Sequence, residues 1–184
     1  GSREGTAGPP DFISDVLDAL TSNPKVWSKT VLFVTFDEND GFFDHLPSPA
    51  VPSYDADGTL MGKSTVALDG EYFDASVGNY LNVNDTTSGK IRPWGLSSRV
   101  PMYVISPWSK GGWVNSQVFD HTSVLRFLEA RFGVREPNIS PFRRAVCGDL
   151  TSAFNFATPN DEALPVLNGR KNKSQADALR AAQQ

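Results

Sequence analysis

The chain has 184 residues, 39% of them hydrophobic and 21% charged, a composition that excludes intrinsic disorder and fits one domain or part of a larger one. Lys+Arg of 17 against Asp+Glu of 21 leaves a net charge of −4, which argues against broad electrostatic capture of nucleic acid or of an anionic membrane. No apolar run reaches the ~18 residues of a membrane span, and the single cysteine, Cys147, excludes an intrachain disulfide and a CxxC metal site.

Gly1-Ser2 has the look of a protease scar, and residues 1–9 are set aside as scar and leader. No charged stretch leads into an apolar one there, so no signal peptide is read. Phe12, Ile13, Val16, Leu17 and Leu20 recur at helical spacing. They predict an amphipathic helix closed at Asn23-Pro24, because the proline ring disfavours helix at the residue before it. Thr30 to Phe36 is a continuous apolar, β-branched run, the pattern of a strand buried on both faces of a parallel sheet. From Leu46 to Ser98 periodicity disappears among prolines and glycines, which predicts a long loop, functional or mobile, over 46–98. Arg99 to Pro107 reads as a second buried strand, with Pro101 tolerable near its start. Asp120 is a good N-cap and Gly133 a good stop for a helix with Val124, Leu125, Leu128 and Phe132 facing inward. A short helix and a turn are expected between Arg143 and Phe156, and residues 161–184 read as a polar linker or frayed helix. The order helix, strand, long loop, strand, helix favours a layered α/β fold.

Directly after the first strand comes Asp37-Glu38-Asn39-Asp40-Gly41-Phe42-Phe43-Asp44-His45. In open α/β sheets the crevice at the carboxyl ends of strands is where ligands bind. Adjacent carboxylates there repel unless a cation or a proton compensates, so they either hold a hard divalent cation or merely solvate the strand end. The chain's two histidines each follow an aspartate, in Asp44-His45 and Asp120-His121, a pairing suited to proton transfer or metal ligation. For Asp120-His121 the plainer reading is helix capping with an exposed imidazole. Asp55-Ala56-Asp57-Gly58 resembles a minimal calcium turn, although an ordinary turn explains it as well. Arg143-Arg144 suits either bidentate phosphate binding or, the better expectation, a surface charge pair. Trp108 and Trp113, in a glycine-rich loop after the second strand, either face a cationic head group or pack in the core.

These segments together resemble a known family. Thr35 to His45, followed by Pro47-Ser48-Pro49, is similar to the DEN(D/G)GFFDHxPxP block of the bacterial phosphocholine-preferring phospholipase C / acid phosphatase family. Arg99-Val100-Pro101, Ile105 to Ser109, Gly111 to Ser116 and Phe119 to Ser123 resemble its second block. Glu136 to Pro141 and Arg143 to Thr151 resemble the region that closes its catalytic domain. The likeness runs from about Phe12 to Pro159. It implies an alkaline-phosphatase-like α/β fold, incomplete in this chain, and hydrolysis of the phosphodiester between diacylglycerol and a head group such as phosphocholine. Matched residue by residue, it makes Asp37 and Glu38 ligands of a divalent metal ion (Ca, Zn or Mn). His45 and His121 become active-site histidines that Asp44 and Asp120 orient, and the enzyme is expected in the periplasm or outside the cell.

The departures from the family matter too. Its early Glu-Asn metal-binding block and its Thr or Ser nucleophile have no counterpart here. Residues 10–160 are therefore expected to be the C-terminal part of a catalytic domain. Such a piece should have little activity alone and should self-associate through exposed sheet edge. The rival expectations are a non-catalytic divalent-cation or ligand-binding module using Asp37, Glu38 and the Asp55/Asp57 turn, and a purely structural domain.

Overall fold

The computed structural model describes residues 9–77, 90–96 and 98–160. The expectations for residues 1–8 and 161–184 lie outside them. In chain order the described elements are α1 (Pro9–Thr21), α2 (Pro24–Trp27), β1 (Leu32–Thr35), β2 (Tyr72–Asp74), β3 (Ile91–Pro93), β4 (Met102–Ile105), α3 (His121–Phe132) and α4 (Pro141–Val146), followed by a 3-10 turn at Thr151–Ala153. Helix α1 ends where Asn23-Pro24 requires, since Asn23 is extended and caps α2 through bonds from the Lys25 and Val26 N–H groups at 3.1 and 3.4 Å. Pro24 stands at the start of α2, where a missing N–H leaves no bond unmade.

The described strands form two antiparallel ribbons, β1 with β4 and β2 with β3. The parallel, doubly buried sheet expected around Thr30–Phe36 is not what forms. Leu32 lies opposite Ile105 and Thr35 opposite Met102, antiparallel, and the β1 residues are half-buried or exposed. A continuous apolar run reports how much of a strand is covered, not the direction of its neighbour. Here one face carries Phe33, Val104 and Met102 onto a core of Phe127, Leu150, Ala153 and Phe154. The ring of Phe33 meets Phe127 edge-on at 5.2 Å, and Phe127 in turn meets Phe154 at 5.2 Å.

Helix α3 begins and ends as read, with Gly133 left-handed at φ 66°. Its buried face differs from the expected one. Val124 packs against the core as expected and Ser123 and Phe127 are buried, whereas Leu125, Leu128 and Phe132 are exposed. The apolar stripe is thus broader than the part of it that meets the core. The long segment after Leu46 is also not a plain loop. It contains the β2–β3 ribbon and a Tyr54–Leu60 bridge, paired over so few residues that no period-2 pattern could build up. The Asp55 carboxylate accepts the N–H groups of Asp57 and Thr59 at 3.0 and 2.8 Å, the bonding of an Asx turn.

Arg144 does form a charge pair, and one that is partly buried. Its guanidinium grips Glu129 of α3 with two bonds of 2.8 and 2.9 Å and reaches the Glu136 carbonyl at 2.7 Å, tying α4 to α3.

Candidate active site

β1 delivers Phe36 to the rim of the ribbon, and the chain then reverses. Phe42 N–H donates to the Asn39 carbonyl at 2.9 Å, while Asp40 and Gly41 have φ of 48° and 81°. Positive φ at both central residues is the requirement of a type I′ turn, which Asp-Gly meets best. The turn keeps Asp37 and Glu38 exposed at the strand end, and the Asp37 carboxylate accepts the Glu38 N–H at 3.1 Å.

The helix α3 N-terminus meets this same rim. Asp120 is extended and starts the helix, its N–H bonds Ser123 Oγ at 3.1 Å, and the Thr122 hydroxyl donates to Asp120 Oδ1 at 2.6 Å. His121, the first helical residue, places Nε2 2.9 Å from the Phe36 carbonyl oxygen. A carbonyl only accepts, so Nε2 carries the hydrogen and the lone pair of the neutral ring lies on Nδ1. The imidazole and the Asp37-Glu38 pair are thus brought to one strand end from positions more than eighty residues apart. The second Asp120 oxygen goes to Arg143 Nη1 at 2.7 Å, so its carboxylate bonds Thr122 and Arg143, with the Cys147 thiol also against it, and the ring contact belongs to Phe36.

The other Asp-His pair is locally self-contained. His45 is 93% exposed, and its Nδ1 lies 2.8 Å from Asp44 Oδ1. The second Asp44 oxygen pairs with Arg99 from the segment leading into β4. Burial opposes the Asp44 charge, but Arg99 and the N–H groups of Leu46 and His45 outweigh it and hold the carboxyl below its ordinary pKa. Asp44 therefore stays a carboxylate that fixes the ring with Nε2 facing outward.

Trp108 packs against the core and donates from its indole to the Ser28 carbonyl at 2.9 Å. Trp113 is 49% exposed, and Lys110 Nζ stands 4.6 Å from its ring centre, so a cation already covers that ring. The carboxylates of Asp37 and Glu38 have the oxygen chemistry a hard divalent cation takes. Among the described residues, however, no three His, Cys, Asp or Glu side chains gather closely enough to hold one. The donor set fits a cation in kind and falls short in number.

Sequence reasoning missed Glu71, Ser140 and the inward role of Arg143. Glu71 is 1% exposed, and its Oε1 accepts from Ser140 Oγ and, at 3.2 Å, from Arg143 Nε. Nothing local marks this group, because its members stand about seventy residues apart. The one available signal was a Ser-Pro helix start followed by two arginines.

A family model described as the Phosphoesterase family matches residues 7–135. The chain is 64% identical over 173 residues to a non-hemolytic phospholipase C of Pseudomonas aeruginosa, covering 94% of this chain and 23% of that protein. It is 51% identical over 168 residues to the hemolytic phospholipase C of the same organism, covering 91% and 20%. Identity to phospholipase C A of Mycobacterium tuberculosis is 48% over 153 residues, covering 83% and 26%. The chain therefore spans between a fifth and about a quarter of the length of these curated relatives. Among the described residues no helix is long and apolar enough to cross a membrane. With the match covering more than half of its length, the chain belongs to the phosphoesterase family.

Proposed function

We propose that this chain supplies one side of the active site of an exported phospholipase C, which cleaves phosphatidylcholine-type lipids into diacylglycerol and phosphocholine. The observation that supports the reading is the 2.9 Å contact between His121 Nε2 and the carbonyl of Phe36, the residue that precedes Asp37-Glu38. Sequence identity of 64% to a phospholipase C supports the same reading. An alkaline-phosphatase-like layering of the whole domain is part of the proposal.

In this reading Asp37 and Glu38 are two ligands of a divalent cation completed by groups not gathered here. Such a cation would supply charge neutralisation at the phosphoryl oxygens. This chain's own residues do the proton work. His121, held by its Nε2–H, presents Nδ1 to accept or return a proton at a phosphoryl-bound oxygen. His45, held at Nδ1 by Asp44, presents Nε2 for the same exchange with the departing diacylglycerol oxygen. A hydroxyl attacks phosphorus, diacylglycerol leaves with a proton, and water then releases phosphocholine. No residue of this chain is assigned as that hydroxyl.

The test is a chimaera in which this segment replaces its counterpart in the Pseudomonas non-hemolytic enzyme, assayed on a chromogenic phosphocholine ester. The chimaera is expected to be active. His121→Ala and Asp37→Asn are each expected to lower kcat at least about 100-fold, the usual worth of a general acid–base group. A folded chimaera that keeps its rate after His121→Ala overturns the assignment. The isolated chain should show little turnover, and rapid hydrolysis by it would overturn the idea of a shared site. Tight cation binding by the isolated chain, abolished by Asp37→Asn, would favour the binding-module reading instead.

A further inference from the structure

We infer that Arg143 is a positioning residue for His121, acting through the Asp120 cap of α3. Its three guanidinium nitrogens go to three different segments. Nε meets Glu71 Oε1 at 3.2 Å, Nη1 meets Asp120 Oδ2 at 2.7 Å, and Nη2 meets the Gly95 carbonyl at 2.9 Å. The backbone N–H of Arg143 adds a bond to Ser140 Oγ at 3.1 Å, so the stem of the side chain is fixed as well. A planar fork can satisfy three acceptors at once in this way, and a lysine ammonium on a flexible stem cannot hold the same geometry.

The anchor behind the fork is buried. Glu71 is 1% exposed, one of its oxygens is shared by Ser140 and Arg143, and the other, Oε2, has no hydrogen-bond partner among the described residues. A carboxylate so enclosed is held in place by its arginine, and it holds the arginine in return. From this anchor the connection to the site is short. Arg143 fixes Asp120, Asp120 begins α3, and the next residue, His121, reaches the carbonyl of the Phe36–Asp37 peptide. Rotation of the cap would swing the imidazole off that carbonyl even with the helix intact. Arg143 touches neither the ring nor the strand-end carboxylates in this arrangement, so it orients the site without taking part in the chemistry.

The experiment uses the isotopically labelled full chain, wild type and variants under one set of conditions. Two histidines make the ring signals easy to assign, and exposed His45 serves as the internal reference. The readout is the set of cross-peaks between the His121 ring and the Asp37 amide. Asp120→Ser keeps a good cap but is too short to reach the Arg143 guanidinium, so the link is cut. It is expected to lose those cross-peaks while the α3 amide pattern and the His45 ring signals stay in place. Arg143→Gln should do the same, and Arg143→Lys should restore the contact only in part. Wild-type cross-peaks in folded Asp120→Ser overturn the inference, whether or not Arg143→Gln folds. Its meaning for catalysis rests on the phospholipase C reading, whereas the ring signals report geometry independently of any turnover.

Discussion

Asp40 and Gly41 set where the strand-end carboxylates stand. A side chain at Gly41 meets nothing within 4 Å, so a substitution there acts through the backbone alone. At φ 81° an alanine is strained, and Gly41→Ala is expected to destabilise the chain by about 1 kcal/mol. Urea unfolding checks the size of the effect, and an unchanged midpoint would mean that the turn relaxes freely. Asp-Gly after an apolar run was readable as a turn. So was the Asp44-His45 pair, because both members are adjacent in the chain and only one further residue, Arg99, comes from elsewhere. The His121 contact was not readable in the same sense. Its partner is a backbone carbonyl, which any residue type would supply.

The helix ends were the most legible features at the scale of whole elements, since capping is decided by side chains within a few residues. Asn23, Asp120 and Gly133 stand where their chemistry places them. Which face of α3 is buried, and in which direction β1 pairs, were not legible, because both depend on neighbours distant in sequence. The contact that settles the α3 orientation at its far end is Arg144 with Glu129. Two bonds from Arg144, together with the Glu136 N–H at 2.6 Å, pull the Glu129 carboxyl from 4.5 down to about 2. An acid with a lowered folded-state pKa binds protons more readily when unfolded. Its stabilisation is therefore complete above pH 4.5 and is lost as pH falls toward 2. Glu129→Gln should unfold at lower urea than wild type at about pH 6, and the difference should shrink at about pH 2.5. A gap that stays constant across that window would remove Glu129 from the acid response.

At the scale of the whole molecule, one face of the β1–β4 ribbon packs into the core around Phe127 and Phe154, while on the opposite face Leu32, Val34 and Ile105 are only half-buried. Alternation along the strands puts Leu32, Val34, Tyr103 and Ile105 together on that second face, with Tyr103 58% exposed. Among the described residues the ribbon has no strand on either edge, and isolated ribbons of this size are marginal in water. Apolar cover and edge bonds are both available from a second copy. The chain is therefore expected to associate as its concentration rises. Tyr103→Lys places a charge at the centre of the face without touching the core side, so it should move the mass distribution toward monomer while leaving the unfolding midpoint nearly unchanged. Light scattering across a concentration series measures this directly. A wild-type chain that stays monomeric throughout would mean that the half-buried state of Leu32, Val34 and Ile105 is cover enough. Association untouched by Tyr103→Lys would move the contact to another surface, such as the exposed Phe42, Phe43 and Leu46 beyond the Asp40-Gly41 turn.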